Sequence, residues 1–206
     1  MAALFVVRVW LPDRPGALGA VASRIGAVRG DLVGIDILET GAGRAIDELV
    51  VSLPDADLVP LLVKEMQEVE GVDVEDIRPV EGDLPDARVA ALESAAELLV
   101  QPDAAAVCSM LVAHVNRDFE AEWAVVMREG APVASHGDVP TAEWVNAFVA
   151  GSEGAGAAEV GPDDIAWAPF GDGGSLVIGR QGRPFRARER RQLNALARII
   201  GWRLSA

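Results

Sequence analysis

The sequence predicts an α+β protein of two domains, and three observations predict it. Over the first 80 residues, period-two and helical patterns of apolar residues follow one another in the order βαββαβ. A short polar stretch containing proline, "EGDLPDA" at residues 81–87, then interrupts the patterning and reads as a linker. Beyond it, residues 88–206 carry helices around antiparallel strands in a different order, with no repeat of the first half. At 206 residues, half of them apolar, the chain is long enough for two small cores.

Residues 4–11 alternate, with Phe5, Val7, Val9 and Leu11 on one side and Leu4, Val6, Arg8 and Trp10 on the other, as in a strand. "PDRPG" follows as a turn. Pro15 suits a first helical position, and Asp13 is the natural acceptor for first-turn amides. Leu18, Val21, Ala22, Ile25 and Val28 recur at helical spacing until Gly30. Strands follow at 32–39 and 45–53, joined by "TGAGR"; in the second, Leu49, Val51 and Leu53 alternate against Glu48, Val50 and Ser52. A second helix over 55–69 (Leu58, Leu61, Leu62, Met66, Val69) stops at Gly71, and "VDVEDIRPV" closes the domain as a strand. Two right-handed split crossovers place both helices on one sheet face, which leaves the face of Arg8 and Trp10 as a partner surface.

In the second domain, a helix is expected over 88–100 with Val89, Leu92, Ala96 and Leu99 inward. Asp103 caps another helix reaching about residue 116, and a hairpin turns at Arg128-Glu129-Gly130. A short helix over 141–149, the loop "GSEGAGAAEVGPDD", the strands "IAWAPF" and "SLVIGR" joined by "GDGG", and a last helix over 187–204 complete the order.

Charge and composition narrow the function. A net charge of −14 argues against nucleic acid, which needs a basic face. Eight arginines after Ile178 against the single acid Glu189 give that tail +7 and the remainder −21. The tail reads as a solvated helix face, or as a docking patch for an acidic protein partner. Apolar runs are too short for a membrane span and no signal core opens the chain, so a cytoplasmic protein is expected. The single cysteine, Cys108, excludes an intrachain disulfide or a cysteine metal cluster and reads as a buried, inert thiol. Ser135 and His136 are adjacent on a strand and point to opposite faces, so they make no dyad; His114 reads as a satisfied, half-buried residue. Asp163 and Asp164 read as solvated rather than as a cation site, and "GDGG" lacks the Lys and Ser/Thr of a phosphate loop. No catalysis, metal or cofactor is expected.

With "LPDRPGALGAVA", "GDLVGIDI" and "DELVVSLP" in βαββαβ order, residues 3–80 resemble the ACT domain family. The resemblance implies a ferredoxin-like fold, homodimers or higher homo-oligomers, and a small ligand, usually an amino acid, held where the turn meets a strand of a neighbouring domain. Carried onto this sequence, the ligand residues are Asp13, Arg14, Pro15, Gly16, Ala17 and Leu18, with Gly34, Ile35 and Asp36. The amides of Arg14, Gly16, Ala17 and Leu18 would face the carboxylate. Arg14 would screen the pocket, and Asp13 or a partner's strand residue would meet the ammonium. Amino-acid-binding members often carry an Asn where the second strand begins; here that stretch offers only Asp31, Val33 and Asp36.

"SLVIGRQGRPFRARERRQLNALARIIGWRL" resembles the closing strand, turn and helix of GAF domains, over residues 88–206. It implies a concave pocket over the sheet, with Trp123, Trp144, Trp167 and Phe170 as lining candidates, and dimerisation through outer helices; no cyclic-nucleotide signature or bilin-anchoring cysteine is present. The expectation is a non-catalytic regulatory protein that senses an amino acid. The alternative is a dimerisation and interaction scaffold without a small ligand.

Overall fold

In a computed structural model the chain forms two compact units, residues 1–85 and 86–206, and the structure describes residues 2–80, 82, 86–154, 162–171 and 173–205. Most of the expected linker, and the expected loop at positions 155–161, fall outside the described residues.

The first unit runs β1 (Ala3–Pro12), α1 (Ala17–Ala27), β2 (Asp31–Gly41), β3 (Arg44–Leu53), α2 (Val59–Gln67) and β4 (Asp73–Pro79), with a 3-10 turn Ala56–Leu58 before α2. The sheet order is β2-β3-β1-β4, every pair antiparallel, and β1 pairs with β3 from Ala3↔Leu53 to Pro12↔Arg44. Cross-strand partners share a face, so the register sorts the side chains. Phe5, Val7, Val9 and Leu11 lie with Leu49, Val51 and Leu53 against Val21 and Ile25 of α1 and Leu62 and Met66 of α2, in one buried core.

The opposite face differs from the expectation of an open tryptophan. Arg8 is only 1% exposed and Trp10 is half-buried. On this face register sets a row of charges, Asp36, Glu48, Arg8 and Asp76, side by side across the four strands, and Val6, Ile46 and Val50 on the same face are buried as well. Arg8 donates to Glu48 Oε1 from Nε (3.1 Å) and Nη2 (2.8 Å), and Arg78 Nη2 donates to the same oxygen at 2.9 Å. Trp10 Nε1 donates to Glu75 at 2.6 Å, and the Arg44 guanidinium sits 5.1 Å over the indole ring.

The second unit runs α3 (Ala87–Leu99), α4 (Ala104–Phe119), β5 (Trp123–Arg128), β6 (Ala131–His136), α5 (Ala142–Gly154), β7 (Ile165–Phe170), β8 (Gly174–Gly179) and α6 (Ala187–Ser205), with sheet order β6-β5-β8-β7. Both caps are aspartates: Asp86 accepts from the Arg88 and Val89 amides, and Asp103 from Ala106 at 2.8 Å. Helix α5 continues past residue 149 to Gly154. Alternate residues of β5, β7 and β8 enter two cores, which is why β8 is buried at every position. Ala124, Val126, Phe170, Leu176 and Ile178 meet α3, α4 and α6; Val125, Met127, Trp167 and Val177 meet Val145 of α5.

Two expectations are corrected here. The apolar stripe assigned inward on α3 faces outward, with Leu92 72% exposed, while Ser94 and Leu98 are buried. Small residues on the buried side let the helix approach closely, and the large ones are left outside. The four aromatic residues do not line one pocket either, because strand parity separates them: Trp123 and Trp167 lie on the α5 side, Phe170 on the opposite side, and Trp144 stacks on Phe148 of its own helix.

Candidate functional site

The turn between β1 and α1 begins where Asp13 N–H donates to Gly43 O (2.9 Å), tying it to the β2–β3 hairpin. Arg14 N–H donates to Pro12 O (2.9 Å) and Ala17 N–H to Arg14 O (3.2 Å), so two of the four amides expected to face a ligand are committed within the turn. The first helical bond runs from Ala20 to Gly16 at 2.9 Å. The Asp13 carboxylate, expected to cap the helix, makes no capping hydrogen bond. Gly16, at φ 89° and ψ −13°, turns the chain through the left-handed region at the helix start. Among the described residues, the N–H groups of Gly16, Leu18 and Gly19 are left without an acceptor. Asp13, Arg14, Pro15 and Gly16 are exposed, and Ala17 is buried beneath them. Arg14 lies 3.9 Å from Glu70 in a solvent-screened pair.

Gly34, Ile35 and Asp36 stand elsewhere on the same sheet. Gly34 pairs with Val50 and the hairpin closes at Gly41↔Arg44, six positions along β3, or about 20 Å of strand. Strands β1 and β2 run in the same direction, so the turn sits at the far end of β2. Within one chain the two halves of the expected site do not meet. Asp36, the cross-strand partner of Glu48, also shares the face opposite the helices.

A residue that the sequence analysis passed over lies on the helix side. Asp47 pairs with Val9 and Ile37, between Ala45 and Leu49, and is 3% exposed. Its Oδ1 has no hydrogen-bond partner among the described residues. Burial, reinforced by the Asp13 carboxylate, holds its pKa above the ordinary aspartate value. The signal was parity: a strand in which Leu49, Val51 and Leu53 face inward also turns Asp47 inward.

In the second unit, the chemistry-bearing residues are used in packing. Ser94 Oγ donates to Asp118 (2.5 Å) and accepts from Arg117 (2.9 Å), with His114 Nδ1 at 2.7 Å and His114 Nε2 3.0 Å from Glu97. Ser94 is 1% exposed, so the cluster pins α3 to α4 from within. Cys108 is buried, and burial raises its thiol pKa. Several arginines of the basic tail are committed as well. Arg180 pairs with Glu189 (2.7 Å) and lies 4.0 Å over the Phe185 ring, Arg190 donates to Pro162 O (2.8 Å), and Arg203 to Gln101 O (2.6 Å). No group of three or more metal-ligating side chains occurs among the described residues, and no helix of theirs is long and apolar enough to cross a membrane.

The family model of the ACT domain matches residues 5–71. Those residues are an ACT domain. Among solved structures, the ACT domain from GTP pyrophosphokinase of Chlorobium tepidum is 16% identical, with 39% of this chain and 100% of that one covered and a TM-score of 0.32. An unknown protein from Galdieria sulphuraria is 16% identical over 87% of this chain and 80% of its own, at a TM-score of 0.36. A bacteriophytochrome from the photosynthetic bacterium R. palustris is 11% identical over 99% of this chain and 58% of its own, at a TM-score of 0.43. At such identities and scores these likenesses carry no functional information. No curated protein matches the sequence.

Proposed function

We propose that this is a non-catalytic regulatory protein whose ACT domain binds a small ligand of the amino-acid class at a seam between subunits and couples that binding to a GAF-like second unit. The observation that carries the reading is the uncapped start of α1, where the Gly16, Leu18 and Gly19 amides point their partial positive charge at an exposed corner. The edge strand β2 supports it. Val33, Ile35 and Ile37 are 37%, 42% and 56% exposed on a strand with one unpaired edge, a surface suited to a second copy. Such a copy would lend its own β2 residues to the turn, which the single chain does not supply. The mechanism is linkage: a ligand gripped from two subunits favours the arrangement that brings them together.

A thermal-shift screen against the proteinogenic amino acids tests this. At least one raises the melting temperature and increases the assembled fraction in light scattering; Gly16→Val abolishes the shift. A second reading, a pure assembly scaffold, is favoured by the outward stripe of α3 and by Trp202, 70% exposed on α6. A flat screen, together with assembly lost in Leu92→Glu but not in Gly16→Val, would establish the scaffold in place of the sensor.

A further inference from the structure

Trp123, at the start of β5, lies beside a strand position that receives its ring face on. Its cross-strand partner is Gly179, and a Cβ there would overlap three indole atoms, Cε2, Cζ2 and Nε1. Atoms of both rings crowd that one point, so the indole lies flat across the Gly179 backbone, an approach that only glycine permits. Trp123 also lines a cleft of about 510 Å³, whose other walls are Glu122, Gly137, Asp138, Pro140 and Gln181. With one face of the indole against Gly179, the cleft meets its other face and its edge. We propose that this cleft, which lies wholly within the second unit, binds a small organic ammonium ion, its charge towards Glu122 and Asp138 and its alkyl groups on the indole.

Three loops build the cleft, and the backbone holds them together. Glu122 precedes β5, Gly137, Asp138 and Pro140 follow β6, and Gln181 follows β8. Glu122 N–H donates to Gly179 O at 2.9 Å, and Gln181 N–H donates to Glu122 Oε1 at 3.2 Å. Gly137 comes so close to Glu122 that a Cβ would overlap its carbonyl oxygen, which brings Asp138 to the same rim. Two surface carboxylates alone would simply be solvated. Here they share a concave wall with an indole, whose negative face attracts a cation and whose apolar surface suits its alkyl groups. No lysine or arginine lines the cleft among the described residues, and the Asp138 carboxylate pairs with none of them. A neutral apolar molecule gains from the ring but leaves the carboxylates unanswered. A hydrated metal ion answers the carboxylates and gains little from the ring. The volume is that of a small-molecule site, and an organic ammonium ion uses both parts of it.

Proton–nitrogen correlation spectra of the full chain test the assignment, with the Trp123 indole resonance identified as the one missing from Trp123→Phe. Choline moves that resonance and saturates it. Dimethylbutanol, in which carbon replaces the quaternary nitrogen, binds at least roughly fivefold more weakly, the factor expected for a cation on an exposed ring. Asp138→Asn, on an exposed loop where folding is not at stake, weakens choline roughly two- to fivefold and leaves dimethylbutanol unchanged. Equal binding of the charged and uncharged isosteres would overturn the proposal. So would a Trp123 resonance that choline does not move, or a choline affinity unaltered in both Asp138→Asn and Glu122→Gln. Butylammonium and acetyllysine amide with a free side-chain amine separate a free ligand from a protein's lysine: similar affinities support the small ion, and a preference of roughly tenfold for the lysine amide would overturn it in favour of a protein partner.

Discussion

Asp47 and Glu48 are neighbours in β3 and point to opposite faces of one sheet, and both are largely withdrawn from water. Burial alone would push both carboxyl groups up. For Glu48 it is overcome by Arg8 and Arg78, which hold the group below the usual glutamate range. For Asp47 nothing opposes it, and Asp13 adds to it. The difference teaches that what surrounds a buried carboxylate, more than the depth of burial, decides whether its ionised form is favoured or disfavoured.

Four measurements break or sharpen that contrast. The largest effect is expected from Glu48→Leu, which takes the shared acceptor from Arg8 and Arg78; urea denaturation should register a loss of about 3–5 kcal/mol, and a loss below about 1 kcal/mol would show that the row is not structural. Gly16→Ala forces a Cβ into the left-handed region although open space surrounds it, so destabilisation of about 1–2 kcal/mol is expected from φ alone. Asp47→Asn should stabilise the free protein at pH 7 by about 1 kcal/mol, because it removes a buried charge that has no donor. The sign follows from linkage. A carboxyl group raised in the folded state contributes stability below its unfolded pKa, near 3.8, and loses it as pH rises through the folded value. The gap between wild type and Asp47→Asn should therefore be small near that pH and open towards neutrality. Glu48 runs the other way, its stabilisation present above 4.5 and lost as pH falls through its lowered folded value. The smallest effect belongs to Arg24→Ala, whose pair with Glu65 is solvent-exposed; a change above about 1 kcal/mol in thermal denaturation would mean that exposure does not discriminate these charges.

Much of the first unit was legible because parity along its strands and period along its helices sort the residues that join the core beneath the helices, even though β1 and β3 are buried on both faces. Strand β1 from Phe5 to Leu11, the turn and the inward residues of α1 read directly. The α3 stripe did not, because that helix buries small residues and Ser94 beside a polar cluster, and periodicity alone does not say which of two candidate faces is covered. The turn was legible as a helix start. That its aspartate leaves the amides open depends on Gly16 taking φ 89°, a geometry the Pro-Gly pair permits without requiring. Asp47 was legible by parity, but nothing in "RAIDELVV" shows that no donor stands opposite it. That is a property of three strands in register and of the turn folded above them.

Cys108, sealed in the α4 core and alone of its kind in the chain, also makes the second unit its own reporter. A thiol reagent added to the unaltered protein gains access only when that helix swings out, so the pace of labelling times the opening of one half of the molecule. The ACT domain, with no thiol of its own, stays silent, and a ligand that steadied the second unit would be seen to slow the reaction without any dye or engineered residue.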